Sequence, residues 1–172
     1  MINRHGTLLI HSPVGKILLA AREGELTHLL FADRQRRPAP MGDDTLAAAR
    51  ILADAEKQLQ EYFCGRRRAF DLPLSPSGTA FQLSVWSALL EIPFGETVSY
   101  GELARRVGRA KAARAVGAAN GANPISIIIP CHRVIGRNRR LTGYGGGLPA
   151  KKTLLQLEGG RLEGDQLGNT AD

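Results

Sequence analysis

The chain has little of what marks a secreted, membrane-spanning or metal-stapled protein. Its 172 residues contain two cysteines, Cys64 and Cys131, 67 positions apart, with no CxxC and no clustered Cys/His set. That excludes a disulfide framework and a structural zinc, so neither a metal nor another cofactor is expected. No apolar run approaches the roughly 20 residues of a membrane span. Met1 leads into Ile2-Asn3-Arg4-His5-Gly6 without an apolar core, so no export route and a cytoplasmic location are expected. Gly143-Tyr-Gly-Gly-Gly147 has neither a following Gly-Lys-Ser/Thr nor a GxGxxG pattern, which argues against a nucleotide cradle and for a loop beside a ligand pocket.

What the chain does have is basic charge. Hydrophobic content of 43% and charged content of 23% are ordinary for a globular protein, but the net charge is +7, with 18 Arg to 5 Lys. The excess is uneven. Residues 1–80 carry a net of +2, residues 81–152 hold 11 Lys/Arg against 3 Asp/Glu for a net of +8, and 153–172 carry −3. A local +8 points to a polyanion partner for the second block.

Hydrophobic period divides the chain. Gly6–Ser12, Lys16–Ala21 and Leu26–Phe31 read as three strands of a meander, and Arg34–Gly42 as a surface loop. Residues 44–63 switch to helical period, with Ala48, Leu52, Ala55, Leu59 and Tyr62 on one face and Asp43 or Asp44 available as cap. Arg66–Ser77, with two prolines, reads as an extended linker. Thr79-Ala-Phe-Gln82 and Ser99-Tyr-Gly-Glu102 are capping boxes opening two helices. Lys111–Ala119 is a third short helix behind the Gly108 turn, at helix-turn-helix spacing. A buried strand, Ile125–Ile129, follows, then Pro130-Cys-His-Arg-Val134, a glycine-rich loop and a last helix from about Pro149 to Glu158. The expected organisation is an N-terminal α/β domain at 1–78, a helical C-terminal domain at 79–160 and a loose acidic tail at 161–172.

Cys131 carries the chemistry. A thiol attacks as thiolate, which a neighbouring base or cation favours, and His132 and Arg133 flank it. On an extended segment adjacent side chains point apart, so a water would link His132 to the sulfur; the bland reading is a buried structural cysteine. The Ala/Gly-rich helix with Lys111 and Arg114 fits either close helix packing or approach to a DNA groove. Arg105, Arg106 and Arg109 just upstream favour DNA.

Ile129-Pro-Cys-His-Arg-Val134 resembles the signature of the O6-alkylguanine-DNA alkyltransferases, also called methylated-DNA–protein-cysteine methyltransferases. Pro93–Ala104, Ala112–Gly117, Asn123-Pro124, Thr142–Gly147 and Leu157-Glu-Gly159 stand in the same family order, so the likeness covers about 79–159. It implies a ribonuclease-H-like N-terminal domain and a winged-helix-like, helix-turn-helix C-terminal domain. The implied activity is irreversible, single-turnover transfer of the alkyl group from O6-alkylguanine in double-stranded DNA to Cys131 after base flipping. O4-alkylthymine stays open as a second substrate.

The resemblance also implies roles. His132 would generate the thiolate through a water, Glu158 would orient His132, and Tyr100 would donate a proton to the guanine. Arg114 would fill the space of the flipped base. Lys111, Ala115 and Arg133 would lie at the DNA, and Asn123, grouped with them, would brace the turn before the cysteine. Val134, Tyr144, Gly145 and Gly146 would line the pocket. The protein would act as a monomer in solution, with cooperative loading on DNA left open. Arg139 departs from the family's usual glycine, and Asn138 could take the left-handed turn in its place. Three competing readings are a non-catalytic binder of alkylated DNA, a Cys–His hydrolase with incidental charge, and a transcriptional regulator. The first lacks the nucleophile that is present here, the second predicts turnover, and the third needs more base-reading side chains than an Ala-rich helix offers.

Overall fold

The computed structural model describes residues 2–3, 6–34 and 41–168. His5, most of the expected 34–42 loop and the last four residues lie outside these. The chain divides into two compact units, Met1–Ser77 and Gly78–Asp172.

The first unit is a four-stranded antiparallel sheet with one helix. Its strands β1 (Ile2–Asn3), β2 (Thr7–Ser12), β3 (Gly15–Arg22) and β4 (Glu25–Phe31) lie in chain order. Glu23 and Gly24 both take positive φ, 53° and 82°, giving the tight turn that matches the twist of β3 and β4. Along β2 and β3 the side chains alternate. Leu8 and Ile10 are buried while Leu9 is 40% exposed, and Ile17 and Leu19 are fully buried. Helix α1 (Leu46–Phe63) packs on this sheet through Ala48, Leu52, Ala55, Leu59 and Tyr62, the expected stripe. Its cap is Thr45, whose hydroxyl accepts from the Ala48 N–H at 3.1 Å, rather than Asp43 or Asp44; Asp43 Oδ1 instead accepts from the Thr45 hydroxyl at 2.7 Å. The segment expected as a linker is partly tied down, because Leu26 donates to Pro73 and Ser75 to Leu26 at 2.8 and 2.9 Å.

The second unit is helical with short strands. Helix α2 (Ala80–Leu90) opens on the Thr79/Gln82 capping box, with Val85, Trp86 and Leu89 buried. Strand β5 (Val98–Ser99) leads into α3 (Tyr100–Arg106), capped by Ser99. Helix α4 (Ala113–Gly121) starts two residues later than the spacing predicts and packs on both α2 and α3. Its inward residues are Val116, Ala119 and Asn120, and the Trp86 indole donates to the Ala119 carbonyl at 2.8 Å. A 3-10 turn, Cys131–Arg133, precedes β6 (Val134–Ile135), which pairs parallel with β5. Helix α5 (Gly147–Leu157) follows.

Two expectations are corrected here. Residues 125–129 are not a strand. Ile127 takes a φ of 72°, folding the segment so that Ser126 bridges Ile129. The tail is not loose over residues 161–168, where β7 (Leu162–Glu163) and β8 (Gln166–Leu167) form a hairpin. Leu167 is buried with Ile135, Leu141 and Leu155, and Leu162 packs against them.

Candidate active site

The turn from α4 into the 3-10 segment places Cys131. Asn123 is buried, its Nδ2 donating to the Ile129 carbonyl at 2.8 Å while its Oδ1 accepts from the Ile125 N–H at 3.0 Å. One side chain thus closes the bend at both ends, which is why asparagine, carrying donor and acceptor, suits the position. Cys131 at the end of this bend is 3% exposed. Burial pushes its thiol up, while hydrogen bonds from the Asn123 and Ser126 side chains and the charge on Lys151 pull the other way.

His132 is fully buried, and its Nε2 donates to Glu158 Oε1 at 3.0 Å. That fixes the tautomer and leaves Nδ1 with its lone pair; among the described residues Nδ1 has no partner. Burial holds the imidazole below its ordinary value although Glu158 opposes this, so His132 is neutral and able to accept a proton. Burial alone would raise the Glu158 carboxyl, but the hydrogen bonds and charge of His132 and Arg133 outweigh it and bring it to about 2.

Arg133 does not face outward as a DNA contact would. It is 7% exposed and forks onto Glu158, with Nε to Oε2 at 2.8 Å and a terminal nitrogen to Oε1 at 2.9 Å. Its other terminal nitrogen donates to the Ile92 carbonyl at 2.5 Å. The reason is electrostatic: a carboxylate at 1% side-chain exposure requires a full counter-charge. Gly95, at a φ of 82°, adds its N–H to Glu158 Oε2 at 3.2 Å.

Tyr100 and Thr142 share a hydroxyl hydrogen bond of 2.9 Å. Burial raises the Tyr100 phenol, so it stays protonated. The Tyr144 ring meets the His132 ring edge-on at 6.4 Å between centroids. Gly145 is exposed and Gly146 buried at the start of α5. Lys151 is fully buried, donating to the Val134 carbonyl at 2.6 Å and the Thr142 carbonyl at 3.2 Å, and burial lowers its ammonium to about 8. Asn120 Nδ2 donates to the Cys131 carbonyl at 3.4 Å.

Arg114 and Ala115 are exposed on α4, away from its buried residues, and Lys111 is exposed in the turn before it. Arg139 itself takes the left-handed conformation, at a φ of 61°, so Asn138 does not substitute for it. Its carbonyl accepts from the Leu167 N–H at 3.0 Å and its guanidinium donates to the Gly168 carbonyl. Ser126 and Lys151 were not among the expected site residues. Each carried a readable signal, as a lone polar residue inside an isoleucine run and a lone cation on the apolar face of α5. Among the described residues no cluster of three His, Cys, Asp or Glu could hold a metal ion, and no helix is long and apolar enough to cross a membrane.

Two family models match the chain: the 6-O-methylguanine DNA methyltransferase ribonuclease-like domain over residues 7–76 and its DNA binding domain over 80–160. The methylated-DNA–protein-cysteine methyltransferase of Methanosarcina mazei is 50% identical over 90% of this chain and 98% of its own length. The O6-methylguanine methyltransferase structure of Mycobacterium tuberculosis superposes with a TM-score of 0.79 at 47% identity, covering 88% of this chain and 91% of that one. The M. tuberculosis OGT structure in complex with DNA gives 0.78 at 49% identity, over 87% and 90%. The chain belongs to the 6-O-methylguanine DNA methyltransferase family.

Proposed function

We propose that this protein repairs alkylated DNA by direct reversal, as a methylated-DNA–protein-cysteine methyltransferase that moves the alkyl group of O6-alkylguanine onto Cys131. The observation that carries this reading is the buried Cys131–His132–Glu158 series, in which His132 Nδ1 is the one ring nitrogen left to accept a proton. The thiol proton passes through a water to His132. The sulfur then forms a bond to the alkyl carbon as the carbon–O6 bond breaks, and Tyr100 protonates the departing guanine. The thioether is not cleaved, so each molecule acts once.

Helices α3 and α4 act as a helix-turn-helix, the first unit as a ribonuclease-H-like domain, and the exposed Lys111, Arg114 and Ala115 face lies in a DNA groove. Arg114 takes the place of the flipped base, Val134, Tyr144, Gly145 and Gly146 line its pocket, and Asn123 acts as the brace of the bend rather than as a DNA contact. A modified base is already poorly paired, so flipping it costs only a few kcal/mol. The protein works as a cytoplasmic monomer.

The test is an intact mass after incubation with duplex DNA carrying O6-methylguanine. The expected result is a gain of one methylene, localised to Cys131, with no second round. Repaired DNA beside an unchanged protein mass would overturn the mechanism. Cys131→Ala should keep DNA binding and lose transfer. Arg114→Ala should slow repair of duplex far more than reaction with the free alkylated base, and equal losses on both would remove the flipping role.

A further inference from the structure

Thr142 is exposed, in the stretch between β6 and α5, yet its backbone and its side chain are both held by distant residues. The fully buried Lys151 donates to the Thr142 carbonyl at 3.2 Å and to the Val134 carbonyl at 2.6 Å, so one ammonium ties residues 134 and 142 together. The preceding Leu141 N–H donates to the Asp165 carbonyl at 2.8 Å. From this fixed backbone the Thr142 hydroxyl donates to the Tyr100 oxygen at 2.9 Å, across 42 positions of chain. Tyr100, the first residue of α3, is half-buried with its ring over Gly117 of α4, where a methyl would touch the ring at 3.5 Å.

The direction of this bond decides what it can do. A phenol has one proton to give, and its oxygen also accepts. Because Thr142 donates, the Tyr100 proton is not spent on Thr142. Burial raises the phenol and the bond from Thr142 opposes that, as a donor favouring the tyrosinate does. In the reaction above, Tyr100 protonates the departing guanine, so negative charge grows on the phenol oxygen as the carbon–O6 bond breaks. A donor already in place there strengthens as that charge develops. Its contribution falls on the transition state rather than on the resting protein.

We propose that Thr142 is a positioning residue for the transfer, whose hydroxyl holds the Tyr100 phenol with its proton directed to the guanine and stabilises the tyrosinate that forms. This rests on the alkyl-transfer reading above. Thr142 keeps its own proton throughout. The phenol proton goes to the guanine; the phenol then takes a proton from water, and the His132 imidazolium releases the thiol proton to water, so the proton count closes.

The experiment uses the full chain with Cys64→Ser, so that Cys131 is the one thiol present. Thr142→Val keeps the shape and loses the hydroxyl, and Thr142→Ser keeps the hydroxyl. Each is made alone and together with Tyr100→Phe, and thermal unfolding verifies the folds. Two rates are followed: single-turnover methyl transfer from an O6-methylguanine duplex at saturating protein, and labelling of Cys131 by iodoacetamide, which needs no protonated guanine. Thr142→Val should slow transfer by about tenfold, the worth of one hydrogen bond to a group acquiring charge, and leave labelling at the parent rate. Thr142→Ser should restore transfer. In the Tyr100→Phe background Thr142→Val should change transfer by less than about twofold, because its partner is gone. Transfer by Thr142→Val at the parent rate, the full loss persisting in the Tyr100→Phe background, no rescue by a folded serine variant, or labelling slowed as much as transfer would each overturn the proposal. A parent that transfers no methyl would overturn instead the alkyl-transfer reading on which this one stands.

Discussion

Arg133 shows how one side chain can be misjudged by its charge. Next to Cys131 in a basic stretch, it reads as a phosphate contact, yet it lies buried with its fork on Glu158 and a further donor on Ile92. Removing it leaves a carboxylate without its main counter-charge. Arg133→Met should therefore lower the unfolding free energy by about 3–5 kcal/mol in a denaturant titration. Arg133→Lys restores charge but not the two-pronged geometry, and should fall between the two. Acid stability follows from the same pair. Glu158 sits at about 2 against an ordinary 4.5, a lowered value, so its contribution is fully present above about 4.5 and is lost as pH falls through about 2. Glu158→Gln should flatten the dependence of the unfolding midpoint on pH across that window. An unchanged slope would mean that other carboxylates dominate acid unfolding.

At the level of elements, the C-terminal hairpin braces the loop that follows the cysteine. Leu141 donates to Asp165 at 2.8 Å, Leu167 to Arg139 at 3.0 Å, and the Gln166 side chain to Asn138 at 3.1 Å. Lys152 pairs with Asp165 at 2.6 Å. The braced loop ends at Thr142, partner of both Tyr100 and Lys151. Truncation after Gly160 should speed amide exchange at Arg139 and Leu141 by more than tenfold, and Leu167→Ala should cost about 2–5 kcal/mol of stability. Unaltered exchange after truncation would show that the loop holds itself. This hairpin was hidden in the sequence because two leucines stand among glycines and acids, a composition that reads as disordered. By contrast, α1 was legible from its stripe and α2 from its reciprocal cap, since period and capping are local properties. The Ile125–Ile129 turn was not, because β-branched residues favour strands and only tertiary packing turns Ile127 left-handed. In the site, Cys131 and His132 were marked by their own chemistry. The resemblance supplied Glu158, 26 positions from His132, and the fork of Arg133 onto it required the fold.

For the whole molecule, the structure redistributes the charge that composition counts. Of the eleven basic residues in 81–152, Arg133 and Lys151 are spent inside the site, on a carboxylate and on two carbonyls. Arg105 and Arg106 both lean on Glu102, at 2.5 and 3.5 Å, and Lys152 on Asp165. Exposed pairs of this kind are weak and can be exchanged for phosphate, whereas the buried ones cannot. The part of the +8 left exposed and without an ion pair described here is thus smaller than the total, and it includes Arg109, Lys111 and Arg114 around the start of α4 and Arg137 and Arg140 in the later loop. Each phosphate neutralised contributes a slope of about −0.9 to log affinity against log salt. Lys111→Ala should make that slope shallower by about one unit and weaken binding alike on all sequences. Arg133→Met, which removes a charge as Lys111→Ala does, should leave the slope unchanged while lowering stability, which separates charge that meets DNA from charge that holds the active site. If Arg133→Met altered the slope as much as Lys111→Ala, the buried arginine would have to become exposed on binding, and the Glu158 carboxylate would lose its partner there.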